Sequence, residues 1–325
     1  MRSTTRHCTR VFALFASVTL FVTLSVFAQT YPAKPVRVIV PFAPGGGTDV
    51  IARQVSQKFT ELLGRQFIVD NRGGAGGLIG IEMAVKAEPD GYTILITSGS
   101  FPASAALYKA ASDPINNIAA VAEVSITPYL LAVHPSLPAS TRQLIALARS
   151  KPGELIYVTP GVGTISHLVT EHMLNTAKVK MRHVPYKGVA LLMTDLLTGR
   201  TQVIIGGLSS LLPHVKTGKL RALAVTTAKR WDGLPDVPTI AETLPGYEVE
   251  SWFGVMAPKG TPRPLIEKLN SAVNKLLQDP DLKKSFEAAG MAPSGGTPEE
   301  FDKRIRSDYE RWVKVVQEAN IRAVE

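Results

Sequence analysis

The sequence contains one cysteine, Cys8, in 325 residues. No internal disulfide is possible, so stability has to come from a buried core. Blocks of consecutive lysine and arginine are also missing, and aromatic residues are not interleaved with bases. A nucleic-acid interface is therefore not indicated. A phosphate loop of the G-x-x-x-x-G-K-[ST] type is absent. Gly74-Ala75-Gly76 begins a G-x-G-x-x-G pattern that ends on Ile79 instead of glycine, so a dinucleotide fingerprint fails too. The nucleophile elbow G-x-S-x-G does not occur. His167, Glu171 and His172 read H-x-x-x-E-H, which matches neither H-E-x-x-H nor its inverse. Residues five apart on a helix point to different faces, so no shared metal is expected there. His134, His183 and His214 stand alone in the sequence and read as surface or strand-end residues rather than bases. No catalytic residue, no metal site and no cofactor is proposed from these patterns.

What is present begins with Arg2, Arg6 and Arg10, unaccompanied by acidic residues, followed by an uncharged stretch from Val11 to Ala28. Val26-Phe27-Ala28 places small residues at the −3 and −1 positions before Gln29, the pattern of a secretory leader cleaved after Ala28. An uncleaved anchor is the competing reading, disfavoured by the Ser and Thr residues that interrupt the run. Cys8 precedes the apolar stretch, whereas a lipidated cysteine would follow it. Without its leader the chain carries 33 basic and 27 acidic residues, about +6, a moderately basic surface with a mild preference for anions. The expected location is the periplasm.

Nearly 300 residues are enough for two domains. Apolar strand-like runs alternate with helical stretches: Val36–Val40, Asp49–Leu63, Phe67–Val69, Leu78–Lys86 and Thr93–Thr97 form a βαβαβ series. A second series runs Tyr129–Val133, Thr141–Arg149, Leu155–Val158, Thr164–Asn175, Arg182–Pro185, Ala190–Leu197, Gln202–Ile205 and Leu220–Val225. Three helices are predicted in the tail, Pro262–Gln278, Asp281–Ala289 and Pro298–Asn320, and they are expected to pack on the first domain. "GGTPEEF" starts the last one, with Thr297 as cap, Pro298 at the first helical position and Glu300 at the box position. The predicted architecture is α/β: one lobe from residues 29–126 and 252–325, another from 127–251, and two doubly wound sheets. Chain crossings near Val124–Pro128 and Glu248–Phe253 make a hinge between them.

In open α/β sheets, ligands lie at the carboxyl ends of the strands, where helix N-termini point. Five loops qualify: Pro44–Asp49, Thr97–Ser100, Thr159–His167, Pro185–Gly188 and Gly206–Ser210. Each offers main-chain N–H groups or hydroxyls where the helix dipole favours negative charge. One such loop alone is as easily a tight turn; five at strand ends indicate an anion site in a cleft. Asp49 would repel an anion, so it is read as bracing its loop, with Thr48 as the better ligand donor.

These residues carry a close resemblance. "YPAKPVRVIVPFAPGGGTDVIAR", "VDNRGGAGGLIG", "PDGYT", "HVPYKG", "GKLRALAVT", "LPDVPTIAE", "WFGVMAP" and "GGTPEEF" together resemble the substrate-binding proteins of tripartite tricarboxylate transporters, the Bug-type periplasmic receptors. The resemblance covers essentially all of the chain after the leader. It implies a Venus-flytrap fold, a cleft holding a small organic carboxylate, and delivery to a membrane permease as a monomer, without catalysis. Carried over by position, it assigns ligand contact to Phe42, Ala43, Gly45, Gly46, Gly47, Thr48 and Asp49, and to Ser98, Gly99 and Ser100. In the second lobe it assigns Thr159, Gly161, Gly163, Thr164 and His167, then Tyr186, Lys187 and Gly188.

The chain also departs from the family pattern. Where relatives often read YGSAGNGS, Tyr157–Thr164 has Pro160, which lacks an N–H, and Val162, which is apolar. Gly206, a further candidate ligand contact, stands where an acidic residue is expected in members that pair it with an ammonium group. The expected ligand is thus a carboxylate without a free amine. Two other functions remain open from sequence: a receptor that presents its ligand to a membrane histidine kinase, which would use the same cleft, and a secreted enzyme, for which no base or nucleophile is found.

Overall fold

The structure is a computed structural model that describes residues 31–108 and 112–322. The proposed leader lies outside the described residues. β1 (Val36–Val40) is an unbroken apolar run, as a central strand covered on both faces requires. α1 (Gly47–Leu63) follows and buries Ile51, Val55 and Phe59, one helical stripe at spacings of four. β2 (Phe67–Asn71), α2 (Leu78–Val85), β3 (Thr93–Ser98) and α3 (Ser100–Leu107) complete the first series. β1 lies between β2 and β3, parallel to both.

β4 (Ile118–Val133) is the structural pivot. Its first half pairs antiparallel with β9 (Glu250–Pro258), from Ile118 against Pro258 to Pro128 against Glu250. From Tyr129 the same strand pairs with β7 (Val203–Gly207) and β8 (Arg221–Val225). One strand therefore belongs to both sheets, and the change of partner falls between Pro128 and Tyr129. The return crossing is equally sharp. The Val249 N–H still bonds the Thr226 carbonyl of the second lobe, while Glu250 already pairs with Pro128. In the second lobe, β5 (Ile156–Thr159) runs parallel to both β6 (Arg182–Pro185) and β7. α4 (Thr141–Ser150), α5 (Ile165–Ala177), α6 (Val189–Leu197) and α7 (Leu208–Lys216) cover this sheet.

The tail is α8 (Arg263–Leu276), α9 (Pro280–Ala288), the short strand β10 (Ala292–Gly295) on β4, and α10 (Pro298–Glu318). The capping box of α10 forms as the sequence predicts: Thr297 accepts from the Glu300 N–H, and the Glu300 carboxylate accepts from the Thr297 N–H. α8 and α9 pack on the first lobe, Leu269, Val273 and Phe286 sharing its core with α1. α10 does not stay there. Phe301 and Ile305 pack around Trp252 in the first lobe, whereas Trp312 and Val315 enter the core of the second. The expectation that every tail helix packs on the first domain is corrected on this point: α10 straddles both lobes.

The alternation of strands and helices follows the sequence reading in order. Missing from that reading are the first half of β4, β9, β10, α3 and α7. Nearly every residue of β4 is buried, so no polar alternation marks it as a strand. α7 carries Pro213 inside it, and α3 carries Pro102 in its first turn among small residues.

Candidate functional site

Six helices start at the carboxyl ends of parallel strands: α1, α2 and α3 in the first lobe, α5, α6 and α7 in the second. All six entry segments line one cavity of about 860 Å³ between the lobes. The first lobe contributes Gly46–Thr48, Ala75–Gly77, Ser98 and Ser100; the second contributes Gly161, Val162, Thr164, Tyr186–Ala190, Ser209 and Ser210. The hinge strands add Thr127, Tyr129, Ser251 and Phe253. Among the described residues Lys187 is the one charged residue in this lining, and no carboxylate belongs to it. Six helix dipoles with their positive ends inward, one cation and no anion make a site for negative charge.

The lobes touch around the cavity. The Tyr108 hydroxyl donates to the Val162 carbonyl at 3.0 Å, and Ser104 Oγ donates to the Gly163 carbonyl at 3.2 Å. The Ile165 N–H donates to Ser100 Oγ at 3.3 Å. A Cβ on Gly76 would stand 2.8 Å from the Val162 carbonyl, and Gly76 adopts φ +64, so glycine is required there twice over. A Cβ on Gly47 would stand 3.2 Å from Ser209 Oγ in the opposite lobe.

Behind the first-lobe loop, buried Asp49 ties it down. Asp49 Oδ2 accepts from the Gly45 N–H at 2.9 Å and from Arg53, and Oδ1 accepts from Asn71 at 3.0 Å. Burial alone would raise this carboxyl; the hydrogen bonds from Arg53, Gly45 and Asn71 overcome burial and hold it below the ordinary carboxylate range. Behind the second-lobe loop stands a ring stack. His167 lies 4.2 Å from His183, centroid to centroid, and His183 lies 4.7 Å from Tyr157. The Gly163 N–H donates to His167 Nδ1 at 3.3 Å, Thr159 Oγ1 bonds His183 Nε2 at 2.7 Å, and the Tyr157 hydroxyl donates to Glu171. Burial pushes His167 down to about 4; burial, then the neighbouring His167, push His183 down to about 3. Both rings are thus neutral near pH 7, which leaves His167 Nδ1 free to accept.

The family model for the tripartite tricarboxylate transporter family receptor matches residues 51–321. The chain belongs to this receptor family. It is 38% identical to protein BugT of Bordetella pertussis over 298 residues, 90% of this chain and 91% of BugT. The structure of R. palustris Rpa4515 with adipate is 38% identical and superposes with a TM-score of 0.85, covering 90% of this chain and all of that one. MatC of Rhodopseudomonas palustris with bound malate is 29% identical, with a TM-score of 0.83 over 88% of this chain and all of MatC. The mixed α/β fold of the receptor is that of these binding proteins.

Of the residues expected at the receptor's ligand site, Phe42, Ala43, Gly46, Gly47, Thr48, Ser98 and Ser100 line the cavity from the first lobe. Gly161, Thr164, Tyr186, Lys187, Gly188 and Gly206 line it from the second. Six others are outside the lining. Gly45 and Asp49 form the loop brace, as the sequence reading expects of Asp49. The Gly99 N–H bonds the Trp252 carbonyl at 3.1 Å. Thr159, Gly163 and His167 support the second loop. His183, in the short strand β6, sits at the centre of the ring stack. His167 and His172 do part to different faces, His172 stacking on Tyr247 at 5.0 Å.

The Gly73–Gly77 loop is not among the expected contacts, although its place between β2 and α2 is the same strand-to-helix position as the others. Tyr108, Tyr129, Ser251 and Phe253 gave no sequence signal, because only the hinge brings them to the cavity.

Proposed function

We propose that this receptor captures a small organic carboxylate between its lobes in the periplasm and hands it, chemically unaltered, to the membrane subunits of a tripartite tricarboxylate-type transporter. One observation carries the reading: six helix N-termini converge on a cavity whose described lining has one lysine and no acidic residue. The family's character as receptors and the adipate and malate in related structures support it. The reading includes export by the 1–28 leader, action as a monomer, and closure of the 127–251 lobe on the rest. Each N–H donated to a carboxylate contributes about 1.5–3 kcal/mol. Several of these, less the cost of ordering both partners, give an affinity near micromolar. With no carboxylate in the lining, a ligand ammonium group has no counter-charge, which disfavours amino acids.

The test is a thermal-shift screen over aliphatic, aromatic, hydroxy- and tricarboxylic acids together with aspartate and glutamate. A true ligand at 100 times its Kd stabilises the folded state by about 2.7 kcal/mol. A rise in Tm with a carboxylic acid, and recovery of that acid unchanged by NMR, is the expected result. A panel in which only amino acids act, or in which the bound acid is converted, would overturn the reading.

A further inference from the structure

We infer that the ligand is an amphipathic acid, one carboxylate on an extended apolar body, rather than a compact polar polyacid. This rests on the carboxylate-receptor reading above. The lining holds two unlike sets of side chains. In one, Thr48, Ser98 and Ser100 of the first lobe and Ser209 and Ser210 of the second border the space, and among the described residues none of these hydroxyls donates to a protein group. They can all turn their protons toward a carboxylate, beside the N-termini of α1 and α7.

In the other set the side-chain hydroxyls are already spent. The Tyr108 hydroxyl donates to Val162, that of Tyr186 to Asp195 at 2.6 Å, and that of Thr164 to the Gly161 carbonyl at 2.8 Å. Part of the main chain is used in the same way: the Tyr186 N–H bonds Thr159, the Gly188 N–H bonds Pro160, and Gly163 bonds His167. Pro160 has no N–H to offer. The side chains of this set therefore present carbon, from Tyr108, Pro160, Val162, Ile165, Tyr186 and Val189, around the N-termini of α5 and α6. Lys187 is exposed at this rim, where it attracts anions at long range and is screened by water. A volume of about 860 Å³ exceeds what a four-carbon diacid fills and falls in the range of about 300–1,000 Å³ typical of pockets for larger, largely apolar ligands.

Isothermal titration of the receptor with butanoate, hexanoate and octanoate, and with phenylacetate and 3-phenylpropionate, tests this against malate, succinate and citrate. Affinity should rise about fourfold for each methylene that becomes buried. Val162→Asn should flatten that rise and weaken octanoate about tenfold with little change in Tm. An affinity that stays flat or falls along the series, or that is higher for malate or citrate, overturns the inference and leaves the receptor reading standing. Absence of binding by every acid would overturn both.

Discussion

Gly47 shows how one missing side chain shapes this receptor. It opens α1, faces Ser209 across the cavity, and has Phe253 3.5 Å from where its Cβ would be. Valine there would place a branched side chain between the lobes, against Ser209 and Phe253. Gly47→Val is expected to weaken carboxylate binding at least about tenfold, or ~1.4 kcal/mol, with the melting temperature of the ligand-free protein nearly unchanged. Calorimetric titration of the variant checks it, and an unchanged Kd would reduce the loop to a structural turn. Asp49 is the complementary case. Its type and position fit either a ligand or a brace, and its hydrogen bonds to Gly45, Arg53 and Asn71 place it as the brace.

Two elements carry predictions of their own. The Tyr157–His183–His167 stack supports the loop before α5 with neutral imidazoles. Unfolded, each histidine titrates near about 6.5. Folded, they titrate at about 4 and about 3. Below pH 6.5 the unfolded chain therefore binds protons that the folded chain refuses. The stability tied to the stack is fully present above pH 6.5 and is lost as pH falls from there toward 4. A histidine kept neutral costs up to about 1.4 kcal/mol per pH unit across that window. His172, lowered chiefly by burial, adds in the same direction. Glu171, raised by burial, opposes it at the acid end. Urea unfolding midpoints measured from pH 7.5 to 4.5 should fall, and His183→Gln should make the fall shallower. At the start of α10, Thr297→Ala removes the cap and half of the box. It should destabilise the protein by about 1 kcal/mol, seen as a lower urea midpoint with an unchanged m-value.

On the proposed closure of the 127–251 lobe, the controlling quantity for the whole molecule is the balance between lobes together and lobes apart. Three hydrogen bonds, from Tyr108, Ser104 and Ile165, cross between lobes beside the cavity. They exist only when the lobes meet, so they add to closure and hence to apparent affinity. Tyr108→Phe keeps the ring and removes the bond to Val162, which contributes about 1 kcal/mol. Apparent affinity should drop about fivefold while the unfolding midpoint of the free protein holds. Small-angle scattering of the variant should then need more ligand to reach the same contraction. α10 belongs to this scale as well. Its first half packs on one lobe and its second half on the other, with the Trp252 indole N–H donating to Asp308 at 2.7 Å between them. The helix lies across the hinge.

The sequence by itself determined the α/β class, the order of most strands and helices, the capping box at Thr297, and the loops at strand ends. These follow from local causes: apolar periodicity, chain-stiffening residues at element boundaries, and the rule that parallel strands send helix N-termini to one edge. It also brought most of one wall of the cavity into view, from Phe42 to Thr48. Only the tertiary structure decided that β4 serves two sheets, because a strand buried on both faces leaves no polar alternation to read. Only it set Ser209 at the cavity and His167 in a stack with His183, because those positions depend on how separate segments pack. The pairing of His183 with His167 forms only when β6 and α5 pack together within the second lobe, and that of Tyr108 with Val162, 54 residues apart, only when the two lobes meet.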